Sequence, residues 1–248
     1  MSSNEHPTLK TPKPKLVIFD FDGTIMDTTE AINTTFYRSF ELLLPDFPVP
    51  EEALRYRISL GQPAAATFGA LWPDTHKSSF DVEKCVATFR AMYDKYGFDL
   101  QKPFIHADSV LRAVAERGIP VAIVSNKNVG VIKNTMETHK LTGLVPDELI
   151  VGSPMYKTNQ KPHPAAYTDV LLPLLKQRYG EDFEHQDGDV LMIGDTVSDL
   201  KFAHNIGAKS VWCAYGDGSK EECRSLKPEF MIDQLFDVLA VIDGLQMP

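Results

Sequence analysis

The chain has 248 residues, enough to bury one sizeable core and a second, smaller one. It is 43% hydrophobic and 24% charged, with a formal net charge of −9 at pH 7. No basic stripe interleaves with aromatics, so nucleic acid is not an expected partner. No apolar run approaches the roughly 20 residues that cross a bilayer, so no membrane is expected either. An acidic chain can still handle an anionic substrate. It must then supply positive charge locally, through a metal, a lysine or helix N-termini.

Residues 1–14 are polar and carry three prolines. They lack the apolar stretch of a secretory signal and the Arg-rich pattern of a transit peptide, and read as a disordered arm. Cys85, Cys213 and Cys223 have no metal-ligand spacing. They are expected as free thiols of a cytoplasmic protein.

The run Lys15–Phe19 (KLVIF) is continuously apolar and rich in strand formers, the pattern of a strand buried on both faces. Residues 120–124, 190–193 and 210–213 look alike, and 149–151 is a shorter candidate. Helical patterns fall between them at 109–117, 129–141, 165–179 and 199–205. The first stops at Gly118 and the last at Gly207, while Pro173 interrupts the third. Strands alternating with helices predict an α/β fold with a doubly wound, mostly parallel, Rossmann-like sheet.

Residues 28–102 break the alternation. Phe36, Phe40 and Leu43 share one helical face. Val82, Val86, Phe89, Tyr93 and Tyr96 form a second stripe at helical spacing, read as core rather than substrate-stacking. The predicted organisation is an α/β core of residues 15–27 and 103–248, with a separate all-helical domain of residues 28–102 inserted.

Open α/β sheets bind ligands at the carboxyl ends of their strands. The first such loop reads Asp20-Phe21-Asp22-Gly23-Thr24. In extended backbone, alternate side chains share a face, so both carboxylates can meet one phosphorus centre. The second strand ends at Ser125-Asn126, a hydroxyl and a backbone N–H. Lys161 follows the third candidate strand, and Gly194-Asp195-Thr196-Val197-Ser198-Asp199 follows the fourth. A lone Asp at a strand end is usually a cap, and a lone Lys-Pro is normally surface. The set is specific, because so many acids on one edge repel one another without a cation.

DFDGT at 20–24, Ser125, Lys161 in KPHP and GDTVSD at 194–199 resemble, in order and spacing, the four motifs of the haloacid dehalogenase superfamily. The inserted helical segment is similar to the cap of its phosphoglycolate-phosphatase-like branch. The resemblance covers the whole chain after the arm, and only Tyr156–Gln160 is untypical.

The resemblance implies a phosphatase for small phosphorylated metabolites. Asp20 would attack phosphorus and form an aspartyl-phosphate, splitting one difficult hydrolysis into two easier steps. Asp22 would protonate the leaving oxygen and then deprotonate the attacking water. Mg²⁺ would be held by the carboxylates of Asp20 and Asp195 and the backbone carbonyl of Asp22, with Asp199 orienting or reaching the ion through water. Lys161, Ser125 and the Asn126 N–H would hold phosphate oxygens. Arg57, Gly61 and Gln62 resemble the substrate-facing cap loop, although Arg57 is also readable as a solvated helix-face arginine. A phosphomutase of the β-phosphoglucomutase type shares these motifs, and an inactive phosphate-binding module is a further alternative. Phosphoglycolate, sugar phosphates, nucleoside monophosphates and prenyl phosphates all remain candidate substrates.

Overall fold

The computed structural model describes residues 13–156, 159–184 and 186–244. The expected arm lies outside the described residues apart from Lys13 and Pro14.

Strand β1 (Leu16–Phe19) is fully buried at every position, so both faces of the sheet are covered there. It pairs in parallel with β4 (Val121–Asn128) on one side and β6 (Val190–Gly194) on the other. Val17 lies opposite both Val121 and Leu191. Adding β5 (Ile150–Ser153), β7 (Lys209–Cys213) and β8 (Phe230–Ile232) gives a six-stranded parallel sheet in the order β5-β4-β1-β6-β7-β8. The doubly wound α/β reading is correct. Because all six strands run the same way, the loops after β1, β4 and β6 converge on one edge.

The crossover helices are α5 (Ala107–Glu116), α6 (Val129–Thr138), α7 (Leu172–Tyr179) and α8 (Val197–Asn205). Gly118 and Gly207 adopt φ of +70° and +67° just past two of them, as the stop signals require. A wide π-type turn at Ala166–Leu171 precedes α7. Pro173 falls where this turn runs on into α7, so the interruption expected at the proline takes the form of a widened turn rather than a break.

Residues 29–92 form α1 (Thr29–Leu43), α2 (Glu51–Ser59), α3 (Ala64–Leu71) and α4 (Val82–Met92). They enclose their own apolar cluster of Phe36, Phe40, Leu44, Leu54, Phe68, Leu71 and Cys85. Its centre is aromatic: the Phe68 ring lies 5.3 Å from that of Phe36 and 4.9 Å from that of Phe40. The expected stripe along α4 is only partly buried, since Val82 and Tyr96 are exposed. A π-type turn at Tyr93–Gly97 adds a residue to the helix and rotates Tyr96 out of line with Phe89. The chain leaves and rejoins the α/β layer through β2 (Met26–Asp27) and β3 (Lys102–Pro103), which pair antiparallel. Two residues per strand are too few to leave a period in the sequence.

Phe68 is fully buried at the centre of the helical cluster. Phe68→Ala is expected to lower stability by about 3–5 kcal/mol, read as a shift in the urea midpoint. A loss below about 1 kcal/mol would mean that the cluster does not hold this segment together.

Candidate active site

Asp20 emerges from β1 and is anchored by its N–H, which donates to the Ile193 carbonyl at 2.8 Å. Its carboxylate lies 2.9 Å from Lys161 Nζ, and the same ammonium reaches Asp199 Oδ1 at 2.6 Å. Asp20, Asp195 and Asp199 are all buried, with one carboxylate oxygen of each within 4.8 Å of the others. One lysine among three buried acids leaves the cluster short of positive charge. Burial pushes the Asp20 carboxyl up to about 7, helped by Asp199 and opposed by Lys161. Burial likewise raises Asp195 well above the usual range, with Asp199 and Asp20 adding to it. Burial disfavours the Lys161 charge, yet Asp199 and Asp20 outweigh it and raise its pKa. An all-oxygen, anionic donor set of this kind fits a hard divalent cation.

Asp199 is the most constrained of the three. Its Oδ2 accepts from the Thr196 N–H at 3.0 Å and the Thr196 hydroxyl at 2.7 Å, closing a capping box at the start of α8. Its Oδ1 is taken by Lys161. Asp195 is held by the Asp217 N–H at 2.8 Å from its Oδ2. Gly23 permits the approach of the first loop: φ is +71°, and a Cβ there would fall 2.2 Å from Asp195 Oδ2.

Ser125 and Asn126 lie within β4, which runs four residues beyond the expected end at Val124. Both line the cavity over Asp20. The Asn126 side chain brackets the Lys161 backbone, accepting its N–H at 2.8 Å and donating to its carbonyl at 3.1 Å. This fixes the lysine relative to β4. The untypical segment before Lys161 contributes Tyr156, whose hydroxyl donates to the Ser125 carbonyl at 2.6 Å. Lys157 and Thr158 lie outside the described residues.

Three residues at the site carried no functional role in the sequence reading. Lys127 Nζ donates to Asp22 Oδ1 at 2.9 Å and to the Tyr93 hydroxyl at 2.7 Å. Burial opposes its charge, but Asp22 and Tyr93 prevail and raise its pKa. Period-two alternation from Ser125 was the available signal, since residues 125 and 127 share a strand face. Tyr93, read as core, is indeed buried, but its hydroxyl also donates to Gln101 Oε1 at 2.9 Å. Asp217 lines the cavity and accepts from the Thr29 hydroxyl at 2.6 Å.

The cavity holds about 520 Å³ between the sheet edge and the helices. Gly61 and Gln62 line it. Gly61 presses on α8, where a Cβ would fall 2.3 Å from Thr196 Oγ1. Arg57 sits half-buried in the last turn of α2 and is not among the lining residues.

A family model described as haloacid dehalogenase-like hydrolase matches residues 17–213. The chain belongs to this family. A pyrophosphatase PpaX of Bacillus pumilus is 26% identical over 91% of this chain and 95% of its own length. A phosphoglycolate phosphatase of Vibrio parahaemolyticus is 25% identical over 92% and 96%. A haloacid dehalogenase-like family protein from Streptococcus pneumoniae superposes with a TM-score of 0.73 at 20% identity, covering 92% of this chain and 98% of that one. At that identity the superposition speaks for the fold.

The raised Asp20 pKa has a consequence for stability. Its folded value of about 7 lies above the ordinary carboxyl value of 3.8, so the folded state holds the extra proton between them. Without metal, stability should therefore fall as pH rises from about 4 to 7. Asp20→Asn removes the titration. In chelator, the variant should melt above the wild type by a few degrees at pH 8, at about 2–4 °C per kcal/mol for this size. The gap should narrow toward pH 5. Parallel Tm curves across this range would contradict the burial argument.

Proposed function

We propose that this chain is a Mg²⁺-dependent phosphatase acting on small phosphorylated metabolites through an aspartyl-phosphate on Asp20. The observation that carries the reading is the ion-paired Asp20, buried beside Asp195 and Lys161 at the floor of the cavity. The relatives named pyrophosphatase and phosphoglycolate phosphatase, matched along nearly their whole length, support phosphate chemistry.

In this reading Asp20 and Asp195, with the Asp22 carbonyl, hold Mg²⁺. When bound, the ion would supply positive charge to offset the carboxylate repulsion and the charge on the phosphate oxygens. Lys161 keeps Asp20 in position and meets a second phosphate oxygen, while Asp199 holds Lys161. Ser125 and the Asn126 N–H take the remaining charge. Asp20 attacks phosphorus, and the leaving oxygen collects a proton from Asp22. Asp22 then removes a proton from the water that cleaves the acyl phosphate, and Asp20 is regenerated. Lys127 fixes the Asp22 carboxylate against Tyr93, which belongs to the helical segment. The helices of residues 28–102 act as a cap that closes over the site and excludes water. The buried free thiols of Cys85, Cys213 and Cys223 are in keeping with a cytoplasmic setting.

Turnover of p-nitrophenyl phosphate should require Mg²⁺ and stop with chelator. Asp20→Asn should abolish it, since an amide of nearly the same shape is a poor nucleophile. Retained activity in a clean preparation of that variant would reject the covalent route. Asp195→Ala should raise the Mg²⁺ concentration needed for half-maximal rate, and an unchanged requirement would remove Asp195 from the metal site.

Lys127→Met should lower kcat by about 10–150-fold, the range for losing a hydrogen bond to a charged group. KM should move far less, because Lys127 touches Asp22 rather than the phosphate. A variant with wild-type kcat would show that Asp22 needs no partner.

A further inference from the structure

The cavity has two unlike ends. On the sheet side lie Asp20, Asp22, Asn126, Lys127, Lys161 and Asp195. On the helical side lie Ile32, Phe36, Ile58, Ala64, Val86 and Phe89. All but Phe36 of this second group are only partly buried, although four of the five, all but Val86, pack on the helical cluster. Their open faces are turned to the space over Asp20. Arg90 and Asp94 also line this end, but both are exposed and of opposite charge.

In-line displacement sets the direction of the leaving group. It departs opposite the attacking oxygen, so it points from the sheet edge into the helices. A carboxylate or a second phosphate carried there would lose water against these apolar side chains, with Gln62, Tyr93 and the exposed Arg90 as the hydrogen-bond donors of the helical segment. An apolar group would instead cover the open faces of Ile32, Ile58, Val86 and Phe89. A cavity of about 520 Å³ is also far larger than a two-carbon acid needs, and lies in the range of about 300–1,000 Å³ that takes larger ligands.

We infer that the substrate is a phosphate monoester of an apolar alcohol, whose hydrocarbon part is held by the helical segment. This inference rests on the phosphatase reading above and narrows it to one leaving-group class. It separates this chain from relatives whose names specify pyrophosphate or phosphoglycolate.

The test is kcat/KM, with Mg²⁺ present, for ethyl, butyl, hexyl and octyl phosphate, set beside phosphoglycolate, pyrophosphate and p-nitrophenyl phosphate. Each methylene that becomes fully buried should raise kcat/KM by up to about fourfold. From ethyl to hexyl phosphate the gain should reach about thirtyfold or more, with hexyl phosphate above both phosphoglycolate and pyrophosphate. Val86→Phe should move the optimum to a shorter chain and Val86→Ala to a longer one. Misfolding would lower all substrates together and would not move the optimum in opposite directions. A flat or falling alkyl series, with p-nitrophenyl phosphate still turned over, overturns the inference and leaves the phosphatase reading intact. So does a tenfold preference for phosphoglycolate, which would assign specificity to Arg90. No turnover of any monoester overturns both.

Discussion

The structure is organised around an electrostatic imbalance. Asp20, Asp195 and Asp199 are drawn into one buried cluster, and Lys161 is the ammonium set between two of them. Burial alone raises the cost of each charge, and each acid raises it further for the next. No contribution to stability explains such a gathering, because replacing buried charges with apolar groups is often neutral or favourable. The cluster makes sense when a cation and a phosphate complete it. The surrounding fold serves to hold the acids together until they do.

The holding is done by backbone as much as by side chains. Parallel strands deliver Asp20 and Asp195 to one edge from adjacent positions, since β1 and β6 are neighbours in register. The capping box of α8 pins Asp199, which in turn pins Lys161. Asn126 fixes the backbone of that lysine from β4. Asp20, Asp195 and Lys161 are thus set by elements other than their own, while Asp199 is set by the cap of its own helix. The helical segment joins the arrangement through polar contacts at its edges: Tyr93 to Lys127, Thr29 to Asp217, and Tyr56 to Glu222 at 3.1 Å. Leu60 adds an apolar contact across this boundary, packing on the cluster of Val197, Leu200, Trp212 and Cys223, while the two larger apolar clusters lie on either side, an arrangement in line with the proposed cap.

Much of this was legible in the sequence, because the signals were of the strong kind. Runs such as Leu16–Phe19 are buried on both faces and leave an unbroken apolar record. The acids at 20, 22, 195 and 199 stand immediately after two such runs, at adjacent loop mouths. What escaped had physical reasons. Strand β8 is a three-residue edge, Phe230–Ile232, with an exposed Met231, and its apolar run is too short to stand out from a loop. Tyr96 left its stripe because a π-type turn shifts helical phase, which a fixed 3.6 period does not anticipate. Lys127 was masked by its type, since a lysine after a strand reads as solvated unless its partners are known. Asp217 is placed by contacts to residues 195 and 29, which no local pattern encodes. Arg57 shows the converse: a charge in a suggestive segment, which folds as the last turn of α2 and does not line the cavity.

The central claim is that Asp20 becomes covalently phosphorylated. The most direct measurement is to quench the protein during turnover with Mg²⁺ present, reduce acyl phosphates with borohydride, and map the peptides by mass spectrometry. The account predicts homoserine at position 20 only when substrate and metal are both supplied. Aspartate unchanged at position 20, with the reduced residue found at Asp22 or at no acidic residue, would contradict it.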